Sequence, residues 1–393
     1  MKSSTAWTSS PGSFSRLSVV RTISFARGVP APECLPVEEI GECAQAALLR
    51  VERDAVQYGP PGGFSPLREV LAERHEVEPD RVFVTNGSLQ GLVFLATHLL
   101  QQSRRVLVEA PTYDRPLKIL AGLGAEVTGL PMDEHGLEPD AVERELRSGP
   151  KPAFLYTIPT FQNPSGRTLP LDRRRRLIEL AERYDVIIVE DDPYGLVRFE
   201  GEPLPALREL SPSGRVVYSS SFSKTIAPGL RVGYLVLPEE LAKAVEEIAL
   251  ATYLSPVVFT QAIVWEFLRR GLFEPNVERV SALLKLRRDA MLEGLEREFP
   301  DGATWSRPEG GYFLWLDMPE GTDAGEVLLR SEEAGVTFVK GADFYAVTGG
   351  ERSARLAYSF ASPADITDGI RRLADVLGRD RLDRVASAPP AAV

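Results

Sequence analysis

Residues 219–234 read SSSFSKTIAPGLRVGY. They follow the apolar VVY of 216–218, so a buried strand runs into the serines, and a proline and two glycines then turn the chain away. A single Lys224 stands between hydroxyls, with Arg231 on the far side of the turn. Open parallel α/β sheets bind their ligands just past the carboxyl ends of strands. The rest of the chain repeats the arrangement. VFVT at 82–85, VLVE at 106–109, AFLY at 153–156, VIIVE at 186–190 and YLVL at 234–237 are short β-rich runs, separated by helix-length segments such as 169–184. Runs this apolar predict strands covered on both faces, hence a mainly parallel α/β sheet. EAPTY, TIPTFQNPSG, DDPYG and SFSK follow four of the runs and supply polar turns where a ligand would lie.

After Ser255-Pro256 the texture changes. Helix formers fill 277–299, followed by strand-like GYFLWLDM, a helix near 323–334, strand-like VTFV and ARLAYSF, and a last helix at 363–377. This predicts a smaller α+β domain. The expected divisions are 1–45, a segment lying on the smaller domain; 46–270, the large domain; 271–380, the smaller domain; and 381–393, a disordered tail.

Composition excludes several classes. The 393 residues are 44% hydrophobic and 8% aromatic, enough for a large core. Lys+Arg at 45 against Asp+Glu at 56 leaves a net charge of −11, so no nucleic-acid partner is expected. No window reads as a membrane helix and the first residues lack a signal-peptide core, so a cytoplasmic protein is expected. Cys34 and Cys43 are too few for a disulfide scaffold or zinc cluster. His75, His98 and His135 are isolated, so no metal is expected, and the RRRR of 173–176 reads as a solvated helix face.

The chemistry follows from Lys224. A lysine in a surface turn is usually a solvated charge, but one desolvated beside other cations loses its proton and attacks a carbonyl to give a Schiff base. Ser221, Ser223 and Arg231 can grip a phosphate. An aldehyde-seeking amine beside a phosphate cradle describes pyridoxal 5′-phosphate. Its ring nitrogen stays protonated only against a carboxylate, and Asp191 follows an apolar run directly, with Tyr194 three residues on. Glu190 and Asp192 compete with Asp191, and the acidic cluster also reads as a metal site or helix cap. Asn163 can donate to the ring oxygen, Tyr113 can cover the ring face, and Gly87-Ser88-Leu89 opens a helix whose free amides suit an anion.

SFSKTIAPGLRVGY, PTFQNPSGRTLP, VEDDPYG, NGSLQGL, EAPTY, QYGPPGGFSPLRE, RPEGGYFLWLDMP and RLAYSF together resemble the fold-type I pyridoxal-phosphate aminotransferases, from about residue 23 to 377. The likeness is to the class I/II group of 2-aminoadipate, kynurenine and multi-substrate transaminases. It implies an aspartate-aminotransferase-like large domain with a seven-stranded, mainly parallel sheet. It implies that Lys224 forms the internal aldimine and moves the substrate's proton in a ping-pong transfer from an L-amino acid to a 2-oxo acid. Asp191 would hold the ring nitrogen, Asn163 and Tyr194 the ring oxygen, and Tyr113 the ring face. Gly87, Ser88, Leu89, Ser221, Ser223 and Arg231 would surround the phosphate. Tyr58 would reach the phosphate of a neighbouring subunit, making a homodimer with shared sites. Arg355 would clamp the substrate carboxylate, beside Asn163 and Gly28. Another outcome on the same fold is a β-lyase, cyclase or oxidase. A regulator, with such a domain fused behind a DNA-binding module, would need more chain upstream.

The chain departs from the pattern in places. Leu89 stands where relatives often carry glutamine, RLSVVRTISF does not match their closing helix, and Arg27 replaces the first glycine of a Gly-Gly pair in SFARGVP. Arg27 therefore becomes a candidate for the substrate's side-chain pocket, with Tyr253 and Phe344 as alternatives if it faces solvent.

Overall fold

The computed structural model of the chain describes residues 21–387. A large sheet runs in the order Val82–Thr85, Gly233–Val236, Val216–Ser221, Ile188–Asp191, Phe154–Thr157, Arg105–Ala110, Glu126–Asp133, Gly136–Leu137. The five strands from Val216–Ser221 to Glu126–Asp133 pair in parallel, whereas Gly233–Val236 is antiparallel to both neighbours. Seven strands match the expected sheet. The eighth, Gly136–Leu137, turns back antiparallel at the edge.

Alternation along each strand explains why the sheet is covered on both sides. In Phe154–Thr157, Phe154 and Tyr156 join a core with Phe94, Leu95 and Val245, and Leu155 joins another with Leu177, Ile178 and Leu180. Helices Ser88–Leu99 and Glu239–Tyr253 therefore cover one face and Leu171–Tyr184 the other. Each such aliphatic side chain taken from water contributes about 1.5–3 kcal/mol. In the arginine run on Leu171–Tyr184, expected as a solvated face, Arg175 is exposed and Arg173 and Arg176 are partly so, but Arg174 departs from the expectation. Arg174 is fully buried, its guanidinium donating to the carbonyls of Leu169, Pro205 and Pro159 and to Thr160 Oγ1. It thereby braces the turn after the strand Phe154–Thr157.

The smaller domain has a four-stranded antiparallel sheet ordered Thr304–Trp305, Phe313–Asp317, Ser353–Ala357, Val339–Lys340. Helices Phe273–Glu298 and Pro363–Ser387 pack on each other, and Met291, Ile366 and Ile370 share a core with Leu314 and Leu356. The strand Ile23–Ser24 pairs in parallel with Val336–Thr337, and Phe25 is fully buried in this domain. Helix Val37–Val51 lies instead on Val258–Arg269 of the large domain. At the other end, Pro363–Ser387 stays helical past residue 381, where a tail is expected from the sequence; residues 1–20 and 388–393 lie outside the described residues.

Candidate active site

A cavity of about 520 Å³ opens beyond the carboxyl ends of the parallel strands, between the two domains. Lys224 lies half-buried in its wall. Its Nζ donates to Gly28 O at 2.6 Å and stands 4.9 Å from the ring centre of Tyr312 and 5.8 Å from that of Tyr194. Burial first, then the guanidinium groups of Arg355 and Arg231, push its amine down to about 8. An amine so placed is in part neutral and nucleophilic near neutral pH.

Asp191 ends its strand with a buried carboxyl. Oδ2 accepts from Tyr156 Oη at 2.7 Å, whereas Oδ1 is buried without a hydrogen-bond partner. Burial pushes the carboxyl up to about 6. Its neighbours are committed elsewhere. Glu190 accepts from the amides of Leu207 and Arg208, capping a short helix. Asp192 accepts from Gly195 N and Tyr218 Oη, closing the turn that carries Tyr194.

Two glycines bring Arg231 against the N-terminus of a helix. Gly87, at φ +92°, precedes helix Ser88–Leu99, and a Cβ there would lie 2.2 Å from Arg231 Nη2. A Cβ on Gly233 would lie 2.4 Å from Ser88 N. Only without side chains at both positions can the Arg231 guanidinium and the helix N-terminus meet. The first amides of a helix have no acceptor within it and carry the positive end of its dipole. Ser88, Leu89, Ser221, Ser223 and Arg231 all line the cavity, and Ser223 N and Ser221 Oγ are hydrogen-bonded at 3.1 Å.

Asn163 and Tyr194 are buried on the far wall. Arg355 is buried as well, donating through Nη1 to Asn163 Oδ1 at 3.0 Å and through Nη2 to Ala26 O at 2.7 Å, with Nε left unpaired. Its guanidinium lies 4.3 Å from the ring centre of Phe313 and 4.9 Å from that of Phe344. Burial lowers its pKa. Tyr113 lines the cavity at the start of helix Asp114–Gly122.

Thus Lys224, Asp191, Tyr194, Asn163, Tyr113, Ser88, Leu89, Ser221, Ser223, Arg231, Arg355, Arg27 and Gly28 share one cavity. Gly87 supports it from behind. Tyr58 does not reach it and is 75% exposed, on a stretch held by Gly59 N donating to Ser255 Oγ. Arg27 is exposed at the cavity wall, with no ion pair or hydrogen bond among the described residues. Tyr253 and Phe344 lie off the cavity: Tyr253 donates to Pro61 O, and Phe344 backs Arg355.

Sequence reasoning missed Tyr156, Glu109 and Tyr312. Tyr312 donates to Lys224 O at 3.0 Å and puts its ring under the amine. Glu109, wholly buried, accepts from Thr157 Oγ1, Ile158 N and Gln162 Nε2. A tyrosine or glutamate inside an apolar run implies a buried polar group in need of a hydrogen-bond partner, but the run does not say which partner that is.

These residues fit pyridoxal 5′-phosphate. The unpartnered Asp191 Oδ1 matches a protonated ring nitrogen, and the glycine-built cradle with Arg231 matches a phosphate.

Comparison with known proteins bears on the same point. The family profile "Aminotransferase class I and II" matches residues 29–373. The chain is 38% identical to aromatic-amino-acid aminotransferase 1 of Thermococcus litoralis, over 90% of this chain and 88% of that protein. It is 38% identical to a 2-aminoadipate transaminase of Thermus thermophilus, over 90% of each chain. A kynurenine aminotransferase of Pyrococcus horikoshii, solved in complex with PMP, superposes with a TM-score of 0.87 at 35% identity, covering 92% of both chains.

Proposed function

The chain belongs to the class I and II aminotransferases and is an aminotransferase, and we propose that it passes the amino group of an L-amino acid to a 2-oxo acid by a ping-pong reaction on pyridoxal 5′-phosphate. One observation carries the assignment of the cofactor's place: the Lys224 amine and the unpartnered Asp191 oxygen lie in the same cavity as the Ser88 and Arg231 cradle. Bound there, the cofactor supplies an aldehyde and an electron-withdrawing ring that acidifies the substrate's Cα proton. Lys224 holds the cofactor covalently and then moves the proton at Cα. Asp191 keeps the ring nitrogen protonated. Asn163 and Tyr194 bind the ring oxygen, and Tyr113 covers the ring. Ser88, the Leu89 amide, Ser221, Ser223 and Arg231 bind the phosphate. Arg355 takes the substrate carboxylate in a two-point grip, held for that purpose by Asn163 and Ala26. Gly28 and Arg27 border the substrate's side chain.

The proposed unit is a homodimer, in which Tyr58 completes the partner's phosphate site. Exposed Leu49, Val56, Tyr58, Leu254 and Val257 supply an apolar surface for it, joined where Gly59 meets Ser255. A cytoplasmic location belongs to the same reading, and the buried, unpaired Cys34 and Cys43 are in keeping with it.

A half-reaction screen tests the proposal. The cofactor-loaded protein is mixed with single amino acids, beginning with aromatic residues, 2-aminoadipate and kynurenine, the substrates that the relatives' names carry. The visible absorbance should convert to that of the amine form for at least one donor, with no ammonia or peroxide released. Release of either would replace transfer with elimination or oxidation.

A further inference from the structure

We propose that Tyr156 is the positioning residue for Asp191: its phenol occupies one carboxylate oxygen, keeping the group charged and turning the other oxygen into the cavity. This rests on the reading that Asp191 serves the cofactor's ring nitrogen. Tyr156 lies on the strand beside that of Asp191 and pairs with Val189, two residues before Asp191, so both side chains stand on the same face of the sheet. Tyr156 is 1% exposed and Asp191 5%, so water has little access to replace the bond between them. The bond, 2.7 Å, goes to Oδ2, which leaves Oδ1 without a hydrogen-bond partner.

The rest of the surroundings oppose a charge. Burial acts first, and the Asp192 carboxylate adds to it; Tyr156 and the Ser219 hydroxyl act the other way. Glu109, Tyr113 and Tyr194 also face Asp191, and none brings a positive charge. Tyr156 and Ser219 both stand on strands beside that of Asp191, and Tyr156 makes the close hydrogen bond, 2.7 Å to Oδ2. Its own pKa lies well above the ordinary phenol value, through burial first and Asp191 next, so it stays protonated and donating wherever the protein works. A hydrogen bond to a buried carboxylate changes its proton equilibrium about ten- to a hundredfold, one to two pH units.

The test uses the full-length chain and pyridoxal 5′-phosphate as the probe. Its dissociation constant is measured from pH 5 to 9 for wild type and Tyr156→Phe, a change that keeps the ring's volume. Loss of the donor raises the pKa of Asp191. The acid-side loss of cofactor affinity in the variant should therefore begin one to two pH units higher, with affinity above pH 8 within a few-fold of wild type. Comparing variants at each pH cancels the titrations of Lys224 and the phosphate. Replacing Tyr156 with 3,5-difluorotyrosine, a stronger donor, should move the same edge to lower pH. Equal weakening at every pH, or no change, would reduce Tyr156 to a packing residue and overturn the proposal. Asp191→Asn supplies the control. In that background Tyr156→Phe should have no pH-dependent effect. If Asp191→Asn itself leaves the pH profile of binding as in wild type, the reading of Asp191 fails instead.

Discussion

At the scale of single residues, the site depends on charges held in unusual places. Lys224 is the clearest, because its amine lies at about 8 and not the ordinary 10.5. A lowered pKa leaves the amine neutral above that value. The rate at which the cofactor-free chain captures pyridoxal 5′-phosphate should therefore rise from pH 6.5 and level off above about 8; a rate still climbing at pH 10 would mean an ordinary, solvated lysine. Gly87→Ala tests the cradle. At φ +92° and ψ 152° the backbone is in a region that side chains scarcely enter, and the new methyl would also meet Arg231. The expected cost is ~1–3 kcal/mol of stability, read from denaturant unfolding, together with at least tenfold faster cofactor loss. Arg27 carries no partner among the described residues and borders the same cavity. Arg27→Gly should lower the specificity constant for glutamate or 2-aminoadipate relative to leucine and phenylalanine by about tenfold, and an unchanged ratio would assign the guanidinium to solvent.

At the scale of elements, two turns are tied together before any ligand arrives. Glu109 stands at the end of one strand and holds Thr157, Ile158 and Gln162 from the next, while Gln162 also donates to Pro111 O. This brace sets the turn bearing Tyr113 against the loop bearing Asn163. Glu109→Ala would strand those three donors, each at about 1–3 kcal/mol, so a fall in melting temperature and faster amide exchange across 158–163 are expected. The sequence was legible wherever apolar runs met distinctive turns. The six runs that it marks as strands all lie on strands of the large sheet. Glu126–Asp133 was missed because it lies toward the sheet's edge, half-exposed, with Gly129 and Pro131 interrupting its pattern. Tyr156 was missed for the opposite reason. Inside AFLY it reads as one more core side chain, and nothing in a one-dimensional pattern shows that its hydroxyl meets a carboxylate from the neighbouring strand.

At the scale of the whole molecule, the cavity draws its walls from both domains and, in the proposed dimer, from a second copy. Leu49→Glu with Leu254→Glu should place charge on the exposed apolar surface and give a monomer in sedimentation, with activity falling alongside. Mixing Tyr58→Phe with Lys224→Ala subunits should recover activity above either alone, since one site of the hybrid keeps both residues. The segment through Ala26 and Val29 ties the molecule together in another way. Ala26 O accepts from Arg355, 329 positions later, and Val29 O accepts from Ser359, 330 positions later. On the ribosome this segment emerges early and its partners late. The Ala26 and Val29 carbonyls must wait for those partners through nearly the whole of translation, while the large sheet has all its strands and is free to form. The wall carrying Gly28 is then the last part of the pocket to close, so a nascent chain arrested before residue 350 should have a formed sheet yet no competent binding site. Ribosome-bound chains of increasing length, probed by proteolysis around residues 23–30, would reveal that order of assembly.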